Sequence, residues 1–177
     1  MAEVSINKMM KLSEHFSLAE LCKTSAKTAD GNIPSRVQIE NLKNLCENWL
    51  EELRYSYNLL YCMKPGEDYE TSKNVKPLLI NSGFRSEAVN KAIGGVKGSN
   101  HLTGCAVDIH VTGPEQAIRY ACILLDIADE SKRDYDELLV ERSPKGTYWV
   151  HFAVRPSTGS GTAPTVNRRK VRFLFPN

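Results

Sequence analysis

The chain has 177 residues, of which 41% are hydrophobic and 25% are charged, and its formal net charge is +2. This length fits one domain with its own hydrophobic core, and the composition is that of a soluble globular protein. The small net charge excludes an argument for nucleic-acid binding from charge alone.

The first predicted elements follow an N-terminal extension, residues 1–13. Ser17 and Glu20 form a capping box for a short helix within residues 14–22. The clearest helix runs from Pro34 to about Asn58, because apolar residues recur there at spacings of three and four. Its apolar stripe consists of Val37, Ile39, Leu42, Leu45, Cys46, Trp49, Leu50 and Leu53.

The middle of the chain alternates short apolar runs with helical patterns. Residues 77–81 predict a buried strand, residues 87–93 a short helix that ends at two glycines, and residues 105–111 a second strand. Residues 115–129 predict a second amphipathic helix.

The last part of the chain predicts a β-hairpin, residues 135–141 and 147–154, with turn residues at 143–146. A Gly/Ser/Thr stretch at 157–162 precedes a final strand at 170–175. The basic run at 167–172 is interpreted as a solvated strand edge, and contact with an anionic polymer is the alternative. The fold class is therefore α+β, a mainly antiparallel sheet with flanking helices in one domain, residues 14–177.

Cysteines and apolar runs bear on the compartment. The five cysteines form no CxxC pair, which argues against a disulfide framework and for synthesis in a reducing cytoplasm. No apolar run approaches the ~20 residues that span a bilayer, so we expect no membrane insertion. The N-terminus shows no secretory signal pattern.

Three side chains are candidates for a metal site. His101 and Asp108 lie on either side of Gly104, which lets the backbone turn tightly between them. His151 lies on a predicted strand where Val150 and Phe152 suit the core, so the imidazole faces the other side. A catalytic zinc site takes three such ligands and leaves one position for water. An exposed histidine and an ordinary strand aspartate are the alternative interpretation.

Five segments occur in a specific order: Ser82–Ser86, Val89-Asn90, Gly94-Gly95, Ser99–Ile109 and Trp149–His151. In this order they resemble the zinc D-Ala-D-Ala carboxypeptidase family. The wider group includes L-alanyl-D-glutamate endolysins, lysostaphin-type endopeptidases and the hedgehog signalling domain. The resemblance extends from about Phe16 to Val154, and its most specific parts are the SxHxxGxAxD pattern and the later WxH.

The resemblance implies one Zn²⁺ per chain, held by His101, Asp108 and His151, with an activated water as the nucleophile. It implies hydrolysis of stem peptides of bacterial peptidoglycan, either as a carboxypeptidase or as an endolysin-type endopeptidase. Arg85 matches the family arginine that binds substrate near the metal, a role that suits a planar guanidinium. Ser99 is expected to bind substrate or to orient the loop around the site without reacting itself.

The general base is where the sequence departs from the family. An acidic residue is expected three positions before the last histidine, and that position is Tyr148. We predict that Glu141 replaces it from the neighbouring strand if it lies opposite Trp149, because it then shares a face with His151. Glu137 is the reserve candidate, and His110 is interpreted as a bystander or a supporting group.

Two functions follow as alternatives. The first is a monomeric peptidoglycan peptidase that acts in the cell wall after holin-type release or partner-dependent export. The second is a catalytically inactive zinc domain that binds cell-wall peptide or a protein partner, which the missing acid at Tyr148 favours. A nucleic-acid partner is not expected, because clustered aromatic and basic residues are absent elsewhere.

Overall fold

The computed structural model describes residues 10–156 and 166–175. The predicted Gly/Ser/Thr stretch at 157–162 lies outside these residues. Near the N-terminus, Lys11 pairs with Ser17 in an isolated antiparallel bridge, and Leu12, from the predicted extension, is buried in the core. Helix α1 (Leu18–Leu21) follows, and the Ser17 side chain accepts a hydrogen bond from the Glu20 amide, as the capping pattern predicts.

The long helical region predicted from Pro34 begins at Ser35, whose side chain and that of Gln38 form a capping box. It comprises α2 (Arg36–Leu45), a π-helical segment (Cys46–Leu50), α3 (Glu51–Tyr57) and a second π-helical segment (Asn58–Cys62). The region therefore extends four residues beyond the predicted end at Asn58. The prediction for Val37 was wrong, because this side chain lies at the first turn and is 50% exposed.

Five strands form one mixed sheet in the order β1-β2-β4-β3-β5. Their bounds are β1 (Ile80–Ser82), β2 (Ala106–His110), β3 (Glu137–Arg142), β4 (Tyr148–Ala153) and β5 (Lys170–Leu174). The three pairings β1–β2, β2–β4 and β3–β4 are antiparallel, and β5 joins β3 in parallel. The predicted α+β class with a mainly antiparallel sheet is confirmed.

The β3–β4 hairpin has the predicted turn. Ser143 donates its amide to the Thr147 carbonyl and accepts a hydrogen bond from the Gly146 amide on its own carbonyl. In the resulting register Glu141 lies opposite Trp149, which is the arrangement that the Glu141 hypothesis requires.

Helices cover one face of the sheet. Val150 and Phe152 are fully buried on this face, and the Phe152 ring lies 4.8 Å from that of Trp49 in the long helical region. Helix α5 (Pro114–Ser131) packs against β3 and β4 as well as against α3. Alternation along β4 then directs Trp149 and His151 to the opposite face.

The remaining elements are the edge strand β1 and a short helix. The predicted buried strand at 77–81 is shorter and later, at Ile80–Ser82, and Leu79 is 51% exposed because β1 is an edge strand. Helix α4 (Glu87–Ala92) is confirmed, with Ser86 as its N-cap. None of the helices among the described residues is both long and apolar enough to cross a membrane.

Candidate metal centre

A polar cleft of about 530 Å³ opens on the face of the sheet opposite Val150 and Phe152. Asp108 on β2 pairs with His151 on β4, and His151 pairs with Leu139 on β3. Because directly opposed residues in antiparallel strands point to the same side, these three side chains stand next to one another on the cleft floor.

His101 enters the cleft from a 3₁₀ turn, Asn100–Thr103. The Ser99 hydroxyl caps this turn by accepting a hydrogen bond from the His101 amide. The His101 carbonyl accepts the Arg85 amide at 3.1 Å, which ties the turn to the Ser82–Ser86 segment. The turn ends at Gly104, whose φ of +71° is left-handed and whose Cβ, if it had one, would lie 2.5 Å from the Gln38 carbonyl oxygen. Only glycine therefore fits this position without strain.

The three predicted ligands converge. His101 Nε2 lies 3.3 Å and His151 Nδ1 2.9 Å from Asp108 Oδ1. One donor atom from each of the three residues lies within 4.8 Å of the others, and all three residues are buried. Two imidazole nitrogens and one carboxylate oxygen are a donor set that suits a catalytic zinc, which takes water as its fourth ligand. The group could therefore hold a metal ion.

The electrostatics of the site also suit a cation. Burial lowers the pKa of His101 even though Asp108 favours its charged form. Burial also opposes the charged form of His151, but the carboxylates of Asp108 and Glu137 outweigh it and raise the pKa of His151 to about 9. For Asp108, burial opposes ionisation, yet the two imidazoles hold its pKa below the usual value. The carboxylates therefore favour positive charge at His151, whereas burial favours the neutral form of His101, which is the form of imidazole that binds a metal ion.

Arg85 and Ser99 both line the cleft. Arg85 Nη2 donates to Asp108 Oδ2, and Nε donates to the Ser82 hydroxyl at 2.8 Å. Nη1 has no protein partner within residues 10–156 and 166–175, so one side of the guanidinium can still bind another group. The Ser99 hydroxyl accepts a hydrogen bond from the His101 amide and so contributes to the position of the turn that carries His101.

Both candidate bases lie on the cleft side of β3, but their surroundings differ. Glu137 Oε1 accepts Lys170 Nζ at 2.9 Å and forms an ion pair with Arg168 at the same distance. Glu141 has no ion pair among the described residues, and burial raises its pKa. Tyr148, where an acid was expected, packs against the hydrophobic core on the other face, so an acid at this position would point away from His151.

Four residues at the site were not foreseen: Asn100, Asp136, Arg168 and Lys170. Asp136 is fully buried and accepts hydrogen bonds from Arg168 Nη2 at 2.7 Å and from Asn100 Nδ2 at 2.8 Å. β5 is an edge strand, as interpreted, but its first residue, Lys170, pairs with the half-buried Glu137, and Arg168, which precedes the strand, pairs with the buried Asp136. The basic run was a visible signal, but its partners lie 32 or 33 residues away in the sequence.

The other histidines stand apart from the metal group. His110 is exposed and pairs with Trp149 across β2 and β4, so it lies beside the cleft without joining the ligand set. His15 contacts Glu51 of α3 at 2.7 Å. Asn90 donates to the Val96 carbonyl and thereby supports the loop that precedes His101.

Comparison with known proteins gives one family. The family model described as Peptidase M15 matches residues 14–129, about two thirds of the chain. The matched range includes Arg85, His101 and Asp108, whereas Glu141 and His151 follow it. No curated protein matches the chain.

Proposed function

The chain belongs to the peptidase M15 family of zinc D-Ala-D-Ala carboxypeptidase-like enzymes, and from this membership we propose that it hydrolyses stem-peptide bonds of bacterial peptidoglycan. The observation that carries the proposal is the convergence of His101, Asp108 and His151 within 4.8 Å on the floor of an open cleft. Its site of action would be the cell wall, and it would act as a monomer.

The metal chemistry follows from the ligand set. His101 through Nε2, Asp108 through Oδ1 and His151 through Nδ1 would hold the ion. When bound, zinc supplies a Lewis acid that polarises a carbonyl group and activates water near neutral pH. The remaining tasks, which are to accept a proton and to hold the peptide, belong to side chains of this chain.

We assign the general base to Glu141. Its carboxylate lines the cleft, one strand away from His151 and opposite Trp149. Burial raises its pKa towards the range in which a carboxylate is an effective proton acceptor. Glu137 is less suited to this role, because Lys170 and Arg168 occupy its Oε1 atom and stabilise the anion.

Arg85 would bind the substrate. Two of its nitrogens are held by Asp108 and Ser82, which fixes the guanidinium plane beside the metal group. Nη1 is then free to donate to a peptide carbonyl or carboxylate, and its charge would stabilise an oxyanion as it develops. Charged side chains, among them Arg85, Arg168 and Lys170, line the cleft, which suits a peptide bearing charged groups.

The test combines metal analysis with mass spectrometry of digested peptidoglycan. We expect one zinc per chain and release of muropeptide fragments whose masses identify the bond, and we expect His151→Ala to lose both. A zinc-loaded protein that retains peptidoglycan without releasing fragments would contradict the proposal. That result would support the alternative, an inactive zinc domain that binds cell-wall peptide.

A further inference from the structure

The two histidines of the metal group use different nitrogens. His101 directs Nε2 to the group, and its Nδ1 donates to the Gly83 carbonyl at 2.5 Å. His151 directs Nδ1 to the group. A neutral imidazole that binds a metal through one nitrogen carries its proton on the other. With Nδ1 on a metal, His151 Nε2 must therefore donate a hydrogen bond.

A carboxylate lies at the right place to accept it. Glu137 Oε2 lies 3.6 Å from His151 Nε2. We infer that Glu137 is the positioning residue of His151, which fixes the tautomer and the orientation of its ring for metal binding. The 3.6 Å separation is longer than the roughly 2.9 Å of a strong N–H···O bond, so we expect this contact to shorten when Nδ1 holds a metal.

Glu137 has the fixed position that this role requires. Its Oε1 atom contacts Lys170 Nζ and Arg168 Nη2, both at 2.9 Å, and its Oε2 atom accepts Asn100 Nδ2 at 3.3 Å. Three side chains thus hold the carboxylate, and the oxygen nearest His151 carries no cation of its own. Groups that orient metal ligands are held in this way by further contacts.

Asn100 extends the arrangement to the second histidine. It precedes His101 in the 3₁₀ turn, and its side chain also donates to the buried Asp136 at 2.8 Å. The adjacent acids Asp136 and Glu137 therefore join the His101 turn, His151 and the start of β5. Two cations from the C-terminal part of the chain, Arg168 and Lys170, stabilise the carboxylate that orients His151.

The inference assigns distinct roles to two carboxylates on the same strand and the same face. Glu141 forms no ion pair with the Lys170 or the Arg168 side chain and remains available to accept a proton. Glu137 acts through His151 and does not touch the substrate. The inference rests on the proposed function only in taking the metal to be zinc.

The first test measures zinc affinity of the full chain by competition with a chromophoric chelator. Glu137→Met keeps the side-chain length but removes the acceptor, and we expect it to weaken zinc binding about 10- to 100-fold. Glu137→Gln keeps an acceptor oxygen and should recover much of this loss. Glu141→Gln, the matched removal of a carboxylate, should leave zinc affinity within about twofold, because it does not support a ligand.

The second test reports the orientation itself. In the zinc-loaded protein the His151 Nε2 proton should give a slowly exchanging, downfield NMR signal, which Glu137→Met should lose and Glu137→Gln should retain. Unchanged zinc affinity in Glu137→Met, or an equal loss in Glu141→Gln, overturns the inference. If Glu137→Met does not fold, Lys170→Met decides, because it removes a cation that holds the Glu137 carboxylate. We expect weaker zinc binding and a weaker His151 signal in this variant, and both unchanged overturn the inference.

These results are separable from the proposed function. Weakened zinc binding in the Glu137 variants, together with a wild-type protein that cleaves no muropeptide, would contradict the peptidoglycan substrate and support the role of Glu137. Normal muropeptide cleavage by the wild type, with unchanged zinc affinity in Glu137→Met, would support the peptidoglycan substrate and contradict the role of Glu137.

Discussion

The metal site is assembled from two halves that are held in different ways. The first half, residues 82–108, carries Arg85, His101 and Asp108, and backbone contacts hold it: the Gly83 carbonyl accepts His101 Nδ1, and the His101 carbonyl accepts the Arg85 amide. The second half, residues 137–156 and 166–174, carries Glu137, Glu141 and His151. Strand register positions these residues, and side-chain ion pairs with β5 and the segment before it hold Glu137.

The difference indicates where each half is sensitive to substitution. A half held by backbone carbonyls depends on the conformation of the chain, so it is most sensitive at the glycine that sets the turn. A half held by ion pairs depends on charge and on residues that are distant in the sequence. The family match, residues 14–129, covers the first half and ends before the second.

The largest effect is expected from Asp108→Ala, because Asp108 belongs to the first half and also contacts His151 of the second half. Asp108 contacts both histidines and Arg85, so its removal takes away one ligand and the partner of two others. We expect loss of stoichiometric zinc and a fall in activity of more than about 100-fold, since even outer partners of metal ligands cost about 10- to 100-fold. Metal analysis and peptide hydrolysis would measure this, with the exposed Asp126→Ala as control. Retention of one zinc per chain would contradict the assigned ligand set.

Glu141→Gln removes the proposed general base of the second half and leaves its metal ligand, His151, in place. If Glu141 is the general base, kcat falls about 10²- to 10⁴-fold while zinc content stays at one per chain. The measurement is steady-state hydrolysis of a muropeptide by the zinc-saturated variant. Full activity would refute the role of Glu141 and leave the metal site intact.

Gly104→Ala tests the first half through the backbone. A side chain at φ +71° is strained, and its Cβ would approach the Gln38 carbonyl oxygen to 2.5 Å. We expect the free energy of unfolding of the metal-free protein to fall by about 1–3 kcal/mol, as measured by urea denaturation. Gly113→Ala is the matched control, since this residue is extended, at φ 171°, and a Cβ there meets nothing within 4 Å. Equal losses in the two variants would argue against the special role of Gly104.

The smallest effect is expected at Glu51, which lies outside both halves. Its substitution serves as a control that changes stability without changing the metal site. Burial opposes its ionisation, but hydrogen bonds from Ser13 and His15 outweigh it and lower its pKa. A lowered folded-state pKa stabilises the fold above the unfolded-state pKa, and this stability is lost as the pH falls through the folded-state value.

Glu51→Gln should therefore be less stable than wild type near pH 7, by up to about 1 kcal/mol, and the difference should shrink in acid. Thermal unfolding at several pH values would measure it, and zinc affinity should not change. A difference that grows as the pH falls would contradict the sign of the effect.

Much of the fold could be predicted because it rests on local patterns. Apolar spacing identified the long helix and α5, and capping residues identified the beginning of α1. Val37 and Leu79 were assigned wrongly because periodicity does not tell whether a neighbour covers a given apolar side chain. The end of the long helix was also missed, because the turn from Asn58 to Cys62 is π-helical and departs from the 3.6-residue repeat.

Local patterns were enough to predict the fold class, the hairpin that contains Glu141, and the candidate ligands His101, Asp108 and His151, because each rests on a short motif or on spacings of a few residues. The pairing of Glu141 with Trp149 became visible only in the folded chain. The same holds for the ion pairs of Lys170 and Arg168 with Glu137, which leave Glu141 without an ion pair among the described residues. These contacts join residues that are distant along the chain. Contacts between β3 and the basic residues at 168 and 170 form only when the sheet assembles, and no local pattern pairs charges that lie more than thirty residues apart.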